Sequence, residues 1–174
     1  MSVDPPPRRT AAFVGSALFL LAAPGTVAGL VPWWISRWKV QPPFLGFLPI
    51  RTIGALLLLF GIAVVLDSFV RFALQGLGTP APVFPTRHLV VTGCYRYVRN
   101  PIYLAVVSII LGQGAILGNV NLLAYGALAW LTTHVFVVAY EEPTLRKTFG
   151  AEYDAFCARV RRWVPRLTPW NGRD

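Results

Sequence analysis

The chain has 174 residues, which is the length of one domain. Hydrophobic residues make up 55% of it and charged residues only 13%, whereas soluble domains average about a quarter charged residues. This composition, concentrated in apolar runs, excludes an ordinary soluble domain and indicates an integral membrane protein. The net charge of +9 would favour nucleic acid as a partner of a soluble protein, but here it indicates topology, and no nucleic acid is expected.

Four apolar segments are candidates for membrane spans. The second and fourth have 22 residues each, enough to cross a bilayer core of about 30 Å at about 1.5 Å per residue. Residues 1–10 form a flexible Pro-rich tail. A cleaved signal peptide is the alternative for the first span, but no small-x-small cleavage site follows it. The predicted spans are Ala11–Ile35 (interrupted by Pro24-Gly25) and Ile53–Leu74 within residues 11–74, then Ile102–Leu117 and Asn119–Tyr140 as a helical hairpin over residues 102–140.

The basic residues are distributed unequally between the two sides of these spans. Arg37, Lys39 and Arg51 lie between the first two spans, and the other 13 of the 16 Lys and Arg residues fall on the opposite side. The positive-inside rule therefore predicts that both termini and the 75–101 loop are cytoplasmic. Cys94 and Cys157 lie on that reducing side, so no disulfide is expected.

Two segments outside the spans carry most of the polar residues. The 75–101 loop is long and rich in Gly and Pro, and a loop of this length in a compact domain is usually functional or disordered. Residues 141–174 form a basic amphipathic segment, with Pro143 in the first turn of its helix. Residues 1–174 are thus one all-α membrane domain of about four transmembrane helices. The predicted apolar face of the C-terminal helix comprises Leu145, Phe149, Tyr153, Phe156 and Val160.

Glu141-Glu142 and Arg99-Asn100-Pro101 are candidates for a ligand site at one edge of the membrane. Two carboxylates directly after an uncharged span could hold an ammonium group, although a solvated helix end is an equal alternative. Pro101 fixes a first helical turn whose free N–H groups suit an anion, and Arg99 adds a cation. Tyr95, Tyr97 and Tyr103 offer ring faces to a cation or an aromatic group.

Other polar residues in the spans have simpler interpretations. Asp67 and Arg71, four residues apart, are expected to neutralise each other. His134 lies seven residues before Glu141 and is a site candidate because it is an intramembrane histidine. It has no second metal-type ligand nearby, so no metal site is predicted. The small residues Gly112-Gln-Gly114 favour close helix contact rather than a dinucleotide site, since no strand precedes them.

Several segments of the chain match a known family in order and in membrane setting. They are Gly-Leu-Gly-Thr-Pro-Ala-Pro (76–82), Gly-Cys-Tyr-Arg-Tyr-Val-Arg-Asn-Pro-Ile-Tyr (93–103), Glu-Glu-Pro-Thr-Leu-Arg-Lys-Thr-Phe-Gly (141–150), Tyr153 and Val-Pro-Arg (164–166). Through these segments the chain resembles the superfamily of isoprenylcysteine carboxyl methyltransferases and phospholipid methyltransferases, over roughly Gly76 to Pro169. The prokaryotic relatives of the isoprenylcysteine enzyme are the most similar in pattern, which implies a prokaryotic inner or plasma membrane. Many members have His where this chain has Asn100, so an acid–base role at that position is in doubt.

The resemblance implies S-adenosylmethionine as methyl donor. It also implies membrane lipids as partners and a lipophilic acceptor that is a small molecule or carries a prenyl group. A carboxylate acceptor of isoprenylcysteine type needs only a cation to orient it, and the alternative, an aminophospholipid, needs a carboxylate base. A non-catalytic membrane scaffold or transporter subunit is the third alternative. The candidate residues are Glu142, Glu141 and Arg146 for catalysis; Tyr97, Arg99, Asn100, Pro101, Tyr103, His134, Glu141, Glu142, Gly76 and Gly78 for the donor; and Tyr95, Arg146 and Arg166 for the acceptor.

Overall fold

The structure is a computed structural model that describes residues 22–75, 89 and 91–172. The predicted flexible tail, the first half of the first predicted span, and Gly76 and Gly78 lie outside these residues. Within the described ranges the chain is helical and contains no strand, so the all-α prediction is confirmed there. The helices are α1 (Thr26–Ser36), α2 (Pro49–Gln75), α3 (Pro101–Leu117), α4 (Val120–Phe136), α5 (Glu142–Phe149) and α6 (Ala151–Arg159), with π-helical turns at Thr26–Leu30 and Val137–Glu141 and 3₁₀ turns at Phe44–Gly46 and Gly93–Arg96.

Two of the helices are long and apolar enough to cross a membrane. They are Pro49–Arg71 within α2 and the continuous helix Val120–Phe149, which joins α4 to α5 through the second π-helical turn. Only 33% and 17% of their most apolar stretches are buried within the protein. Because soluble monomers rarely expose large continuous apolar surfaces, this exposure fits contact with lipid. The helices α1 and α3 are shorter, so two helices have the length and composition of a span, and the prediction of four spans stays a prediction.

Glycines allow α2 and α3 to pack with their backbones close together. A Cβ atom on Gly112 would lie 2.6 Å from the carbonyl oxygen of Gly54, and one on Gly61 would lie 2.6 Å from that of Ala105. Neither position could hold a side chain without separating the helices. The predicted role of Gly112 in close helix contact is therefore confirmed.

Polar side chains of α3 and α4 bind the carbonyl groups that a proline leaves free in α1. Pro32 has no N–H group to offer the carbonyls one turn earlier. Gln113 Nε2 donates to Ala28 O at 2.7 Å, and the Tyr125 hydroxyl donates to Val27 O at 2.9 Å. An unpaired carbonyl costs several kcal/mol in a membrane, so these two bonds hold α1 against the bundle.

The loop 37–48 packs against the turn between α3 and α4. Gln41 N–H donates to Leu117 O at 2.9 Å, and Gly118 lies against the carbonyl of Pro42, where a Cβ atom would overlap. Gly118 also has φ of 66°, a conformation that favours glycine. These two connections therefore share one end of the bundle, as the predicted topology requires, while their orientation in the membrane stays a prediction.

The C-terminal segment differs from the single amphipathic helix that the sequence predicts. It is broken at Gly150, whose φ is 53°, into α5 and α6, and α6 ends at Arg159. Gly150 suits this break because it adopts positive φ at little cost. The predicted apolar face nevertheless packs together: Leu145, Phe149, Tyr153, Phe156 and Val160 form one core with Trp170, Leu89 and Val91.

Candidate functional site

A buried carboxylate between two arginines lies where α5 begins. Arg162 donates twice to Glu142, from Nε to Oε1 at 2.5 Å and from its terminal nitrogen to Oε2 at 2.8 Å. Arg99 approaches the same carboxylate, with a terminal nitrogen 3.3 Å from Oε1. The side chains of Glu142 and Arg99 are only 10% and 12% exposed. The bond to Glu142 raises the pKa of Arg162. The centre thus carries two cations and one anion.

The guanidinium of Arg99 has a buried nitrogen that no described residue binds. Its terminal nitrogen donates to the Cys157 thiol sulfur at 2.6 Å, while its Nε is buried without a hydrogen-bond partner among the described residues. A buried, unpaired N–H of a cation is costly. Such a group is satisfied when an anionic ligand supplies an acceptor.

The C-terminal segment 160–171, which we call the strap, runs beside the loop that leads into α3. The backbone N–H of Arg99 donates to Arg161 O at 3.0 Å, and Asn100 Nδ2 donates to Arg162 O at 3.2 Å. Asn100 is buried and precedes Pro101, the first residue of α3, but its side chain makes no capping bond to the helix. It therefore joins the start of α3 to the strap. The strap continues through Arg166 N–H to Tyr97 O and Trp170 N–H to Arg96 O.

The other glutamate of the pair, Glu141, lies beside tyrosine and not beside arginine. The Tyr103 hydroxyl donates to Glu141 Oε2 at 3.0 Å, and no described residue donates to Oε1. Burial raises the pKa of the Tyr95 phenol, and the charge of Glu141 raises it further. The two adjacent carboxylates therefore have different surroundings: Glu142 is neutralised, and Glu141 keeps acceptor capacity.

Three residues that are predicted to bind the methyl acceptor or the methyl donor lie outside the buried centre. Arg146 is 53% exposed and pairs with Asp154 at 2.7 Å. Arg166 donates to Arg159 O at 3.0 Å, and the Tyr97 side chain is exposed. Their proposed roles stay predictions, since these contacts neither require nor exclude a ligand.

His134 lies in an aromatic cluster with two tryptophans. The indole Nε1 of Trp163 donates to His134 Nδ1 at 2.9 Å, and Trp130 stacks on the imidazole with ring centroids 5.4 Å apart. The π-helical turn Val137–Glu141 follows His134 and contains Glu141. Seven residues therefore do not bring the two side chains to the same helix face, as they would in a regular α-helix. Donor binding by His134 stays a prediction.

Asp67 and Arg71 form the predicted ion pair, with Arg71 Nε 2.7 Å from Asp67 Oδ2. The Arg71 guanidinium lies over Gly93, where any Cβ atom would overlap it. A cleft of about 620 Å³ opens beside this pair. Its lining includes Arg71, Thr92, Arg96, Glu152 and Trp170. The 3₁₀ turn at Gly93–Arg96 thus borders both the ion pair and the cleft.

Residues 50–152, more than half of the chain, match the phospholipid methyltransferase family. The chain belongs to this family. The match confirms the resemblance seen in the motifs and includes α2, which those motifs do not cover. It contains Arg99, Tyr103 and both glutamates, but it ends before the strap. The phospholipid methyltransferase family and the two long apolar helices together indicate a membrane protein.

One relative found by sequence comparison is named as a metal resistance protein and not as a methyltransferase. Over 80 residues the chain is 34% identical to the nickel-cobalt-cadmium resistance protein NccN of Alcaligenes xylosoxydans xylosoxydans. That stretch is 46% of this chain and 37% of the relative, so the chain matches little more than a third of that protein's length. Within the described ranges no group of three or more His, Cys, Asp or Glu side chains could hold a metal ion.

The sequence did not identify two members of the buried centre, Arg162 and Cys157. Arg162 is one of several arginines in a basic segment, and it meets Glu142 across 20 residues of chain that include the break at Gly150. Cys157 lies one position from Phe156 on α6, with nothing in its spacing to indicate Arg99 as a partner. Both contacts depend on how α6 and the strap fold back, which no local pattern specifies.

Proposed function

We propose that the protein transfers a methyl group from S-adenosylmethionine to a lipophilic acceptor in the membrane. The observation that carries this proposal is that Arg99 Nε in the buried centre has no described partner, while Glu141, next in the chain to Glu142, has an oxygen to which no described residue donates. Together they suit a ligand that carries both a carboxylate and an ammonium group. The family match over residues 50–152 supports the same activity.

The residues present fit the amino-acid end of this donor. Arg99 and the free N–H groups in the first turn of α3 would bind its carboxylate. Glu141 would accept hydrogen bonds from its ammonium, with Tyr103 holding the carboxylate in position. Glu142 is less suited to the ammonium, because Arg162 already occupies both of its oxygens. The assignment of Asn100 and Pro101 to this pocket rests on their place at the start of α3.

The chemistry that the donor supplies when bound is a methyl group on a sulfonium, whose sulfur keeps the bonding electron pair on transfer. The protein then has to align the acceptor and exclude water, and no metal is required for that. We propose a carboxylate of isoprenylcysteine type as the acceptor. Arg146 or Arg166 would orient it, since both are cations near the edge of the buried centre. The acceptor carboxylate loses its charge as the ester forms, so no base is needed.

An aminophospholipid is the second candidate acceptor, favoured by the spare oxygen of Glu141. An amine arrives protonated and must lose a proton before it can attack the methyl carbon. Glu141 Oε1, to which no described residue donates, would take this proton, and in that case it would serve the acceptor instead of the ammonium of the donor. In either case we place the site on the cytoplasmic side of a prokaryotic inner or plasma membrane, as the charge distribution predicts.

The test is methyl transfer from methyl-labelled S-adenosylmethionine by the purified protein in lipid, with prenylcysteine and aminophospholipid acceptors supplied together. Label released as methanol by alkali identifies a carboxyl ester, and alkali-stable label in lipid identifies an N-methyl product. The absence of both donor binding and transfer would contradict the proposal and favour a scaffold.

Glu141→Gln is the variant that tests the site itself. We expect it to weaken donor binding about 10- to 100-fold, because the charged partner of the ammonium is lost. The fold should be unaffected, since glutamine can still accept from Tyr103. Glu152→Gln is the matched control, because Glu152 is exposed on α6. Equal donor affinity in the two variants would remove Glu141 from the site. The measurement is equilibrium binding of labelled donor to protein in lipid nanodiscs.

A further inference from the structure

Arg162 makes the shortest ion pair of the buried centre. It lies outside residues 50–152, which match the family. Its planar fork takes both oxygens of Glu142, whereas Arg99 reaches one of them at 3.3 Å. A guanidinium that meets a carboxylate at two points is held in place more firmly than one at a single longer contact. Glu142 is therefore held mainly by Arg162 of the strap and only at a longer distance by Arg99.

This pairing decides the charge that Arg99 presents to a ligand. With both arginines and Glu142 in place, the centre has two positive charges and one negative charge, a formal net charge of +1. Without Arg162, Glu142 and Arg99 would cancel each other within the same buried volume. In surroundings of low dielectric constant, such a change in charge alters the affinity for an anion strongly.

We propose that Arg162 is a positioning residue that neutralises Glu142 and so keeps Arg99 free to bind an anionic group. This rests on the proposed function for the identity of the anion, which is the carboxylate of S-adenosylmethionine. The backbone of Arg162 also contacts the residue before α3. The carbonyl oxygen of Arg162 accepts from Asn100 Nδ2 at 3.2 Å, directly before the first turn of α3. One residue thus holds both the carboxylate and the start of the helix that Arg99 precedes.

The test compares donor affinity in three variants of the full-length protein in nanodiscs. Arg162→Met should raise the Kd for S-adenosylmethionine about tenfold or more, because Glu142 then pairs with Arg99. Adding Glu142→Gln to Arg162→Met removes the competing charge and restores the net charge of +1. We expect this double variant to recover an affinity within about threefold of the original protein. A purely structural role for Arg162 would give no recovery, and that result would overturn the proposal.

Arg161→Met is the matched control, since it also removes one positive charge from the strap. The Arg161 side chain is exposed and makes no hydrogen bond to a described residue, and its carbonyl contact with Arg99 N–H does not depend on the side chain. Its donor affinity should be unchanged. A loss equal to that of Arg162→Met would mean that the total charge of the strap matters and not its pairing with Glu142, which contradicts the proposal.

A second measurement separates this inference from the proposed function. Arg99→Met should lower the midpoint of thermal unfolding more in the Arg162→Met background than in the original protein, because Arg99 is then the main partner of a buried carboxylate. This unfolding cycle needs no donor. If the original protein binds no S-adenosylmethionine, the proposed function fails, and the cycle still decides whether Arg162 keeps Glu142 from Arg99. Equal shifts in the two backgrounds would contradict it.

Discussion

The two ends of the helical bundle are joined by different kinds of interaction. At one end, which we call the charged end, the loop before α3 meets the strap through a buried carboxylate and two arginines. At the opposite end, the loop 37–48 meets the turn after α3 through a backbone hydrogen bond and the close approach of Gly118. The arginines there bind neutral groups: Arg51 donates to Gln41 O at 2.7 Å, and Arg37 lies 4.6 Å from the centroid of the Trp33 ring.

The opposite end shows that this fold can join its loops without a buried ion pair. Removing charges from water is costly, and well-packed apolar groups often stabilise a protein as well as a buried ion pair does. The ions at the charged end are therefore poorly explained by stability alone. They are well explained by a site that must present a cation to a ligand, because that cation needs buried, fixed surroundings to be selective.

The largest effect that this comparison predicts is that of Glu142→Ala. The change leaves the buried Arg99 and the half-buried Arg162 close together without their shared anion. Breaking a buried ion pair by removing one partner costs about 3–5 kcal/mol, so we expect a loss of this size in the free energy of unfolding. Chemical unfolding in detergent micelles measures it. Glu152→Ala, on an exposed carboxylate, should change the same free energy by less than about 0.5 kcal/mol.

Gly118→Ala tests the opposite end and should have the next largest effect. Alanine disfavours φ of 66°, and its Cβ atom would overlap the Pro42 carbonyl. A strained backbone position of this kind costs about 1–3 kcal/mol. Donor affinity should not change, because the substitution lies at the other end of α3 from Arg99. Gly29→Ala is the control, since a Cβ atom added there would meet no neighbouring group within 4 Å, and it should be neutral or slightly stabilising.

The helical architecture could be predicted because apolar length is a local property of the sequence. The 22-residue apolar runs predicted the two long spans, and the Asp67–Arg71 pair followed from helical spacing. The break at Gly150 was missed because Leu145, Phe149 and Tyr153 keep helical spacing across it. The π-helical turn before Glu142 was missed for the same reason: a single inserted residue leaves hydrophobicity unchanged but rotates everything that follows.

The site could be predicted only as a set of residue types. The sequence brought Arg99 and Glu142 to one membrane edge, and the structure brings them within 3.3 Å. It could not distinguish Glu141 from Glu142, because adjacent residues on a helix face different neighbours and those neighbours come from distant segments. Tyr103 and Arg162 lie 38 and 20 residues from their partners. Such pairings follow from tertiary packing, which a single sequence does not specify.

The smallest effect belongs to Arg51→Gln, and it sharpens the comparison most directly. Arg51 and Arg162 are both partly buried arginines that bind across a loop, but Arg51 binds a neutral carbonyl, and its Nε is buried without a partner among the described residues. Losing one such bond while removing an unsatisfied group should change the free energy of unfolding by about 1 kcal/mol or less. Arg162→Gln, measured in the same micelles, should cost several times more, because it leaves a buried carboxylate underpaired. Equal costs would mean that charge does not distinguish the two ends, and the case for a ligand site at the charged end would then rest on the unpaired Nε of Arg99 alone.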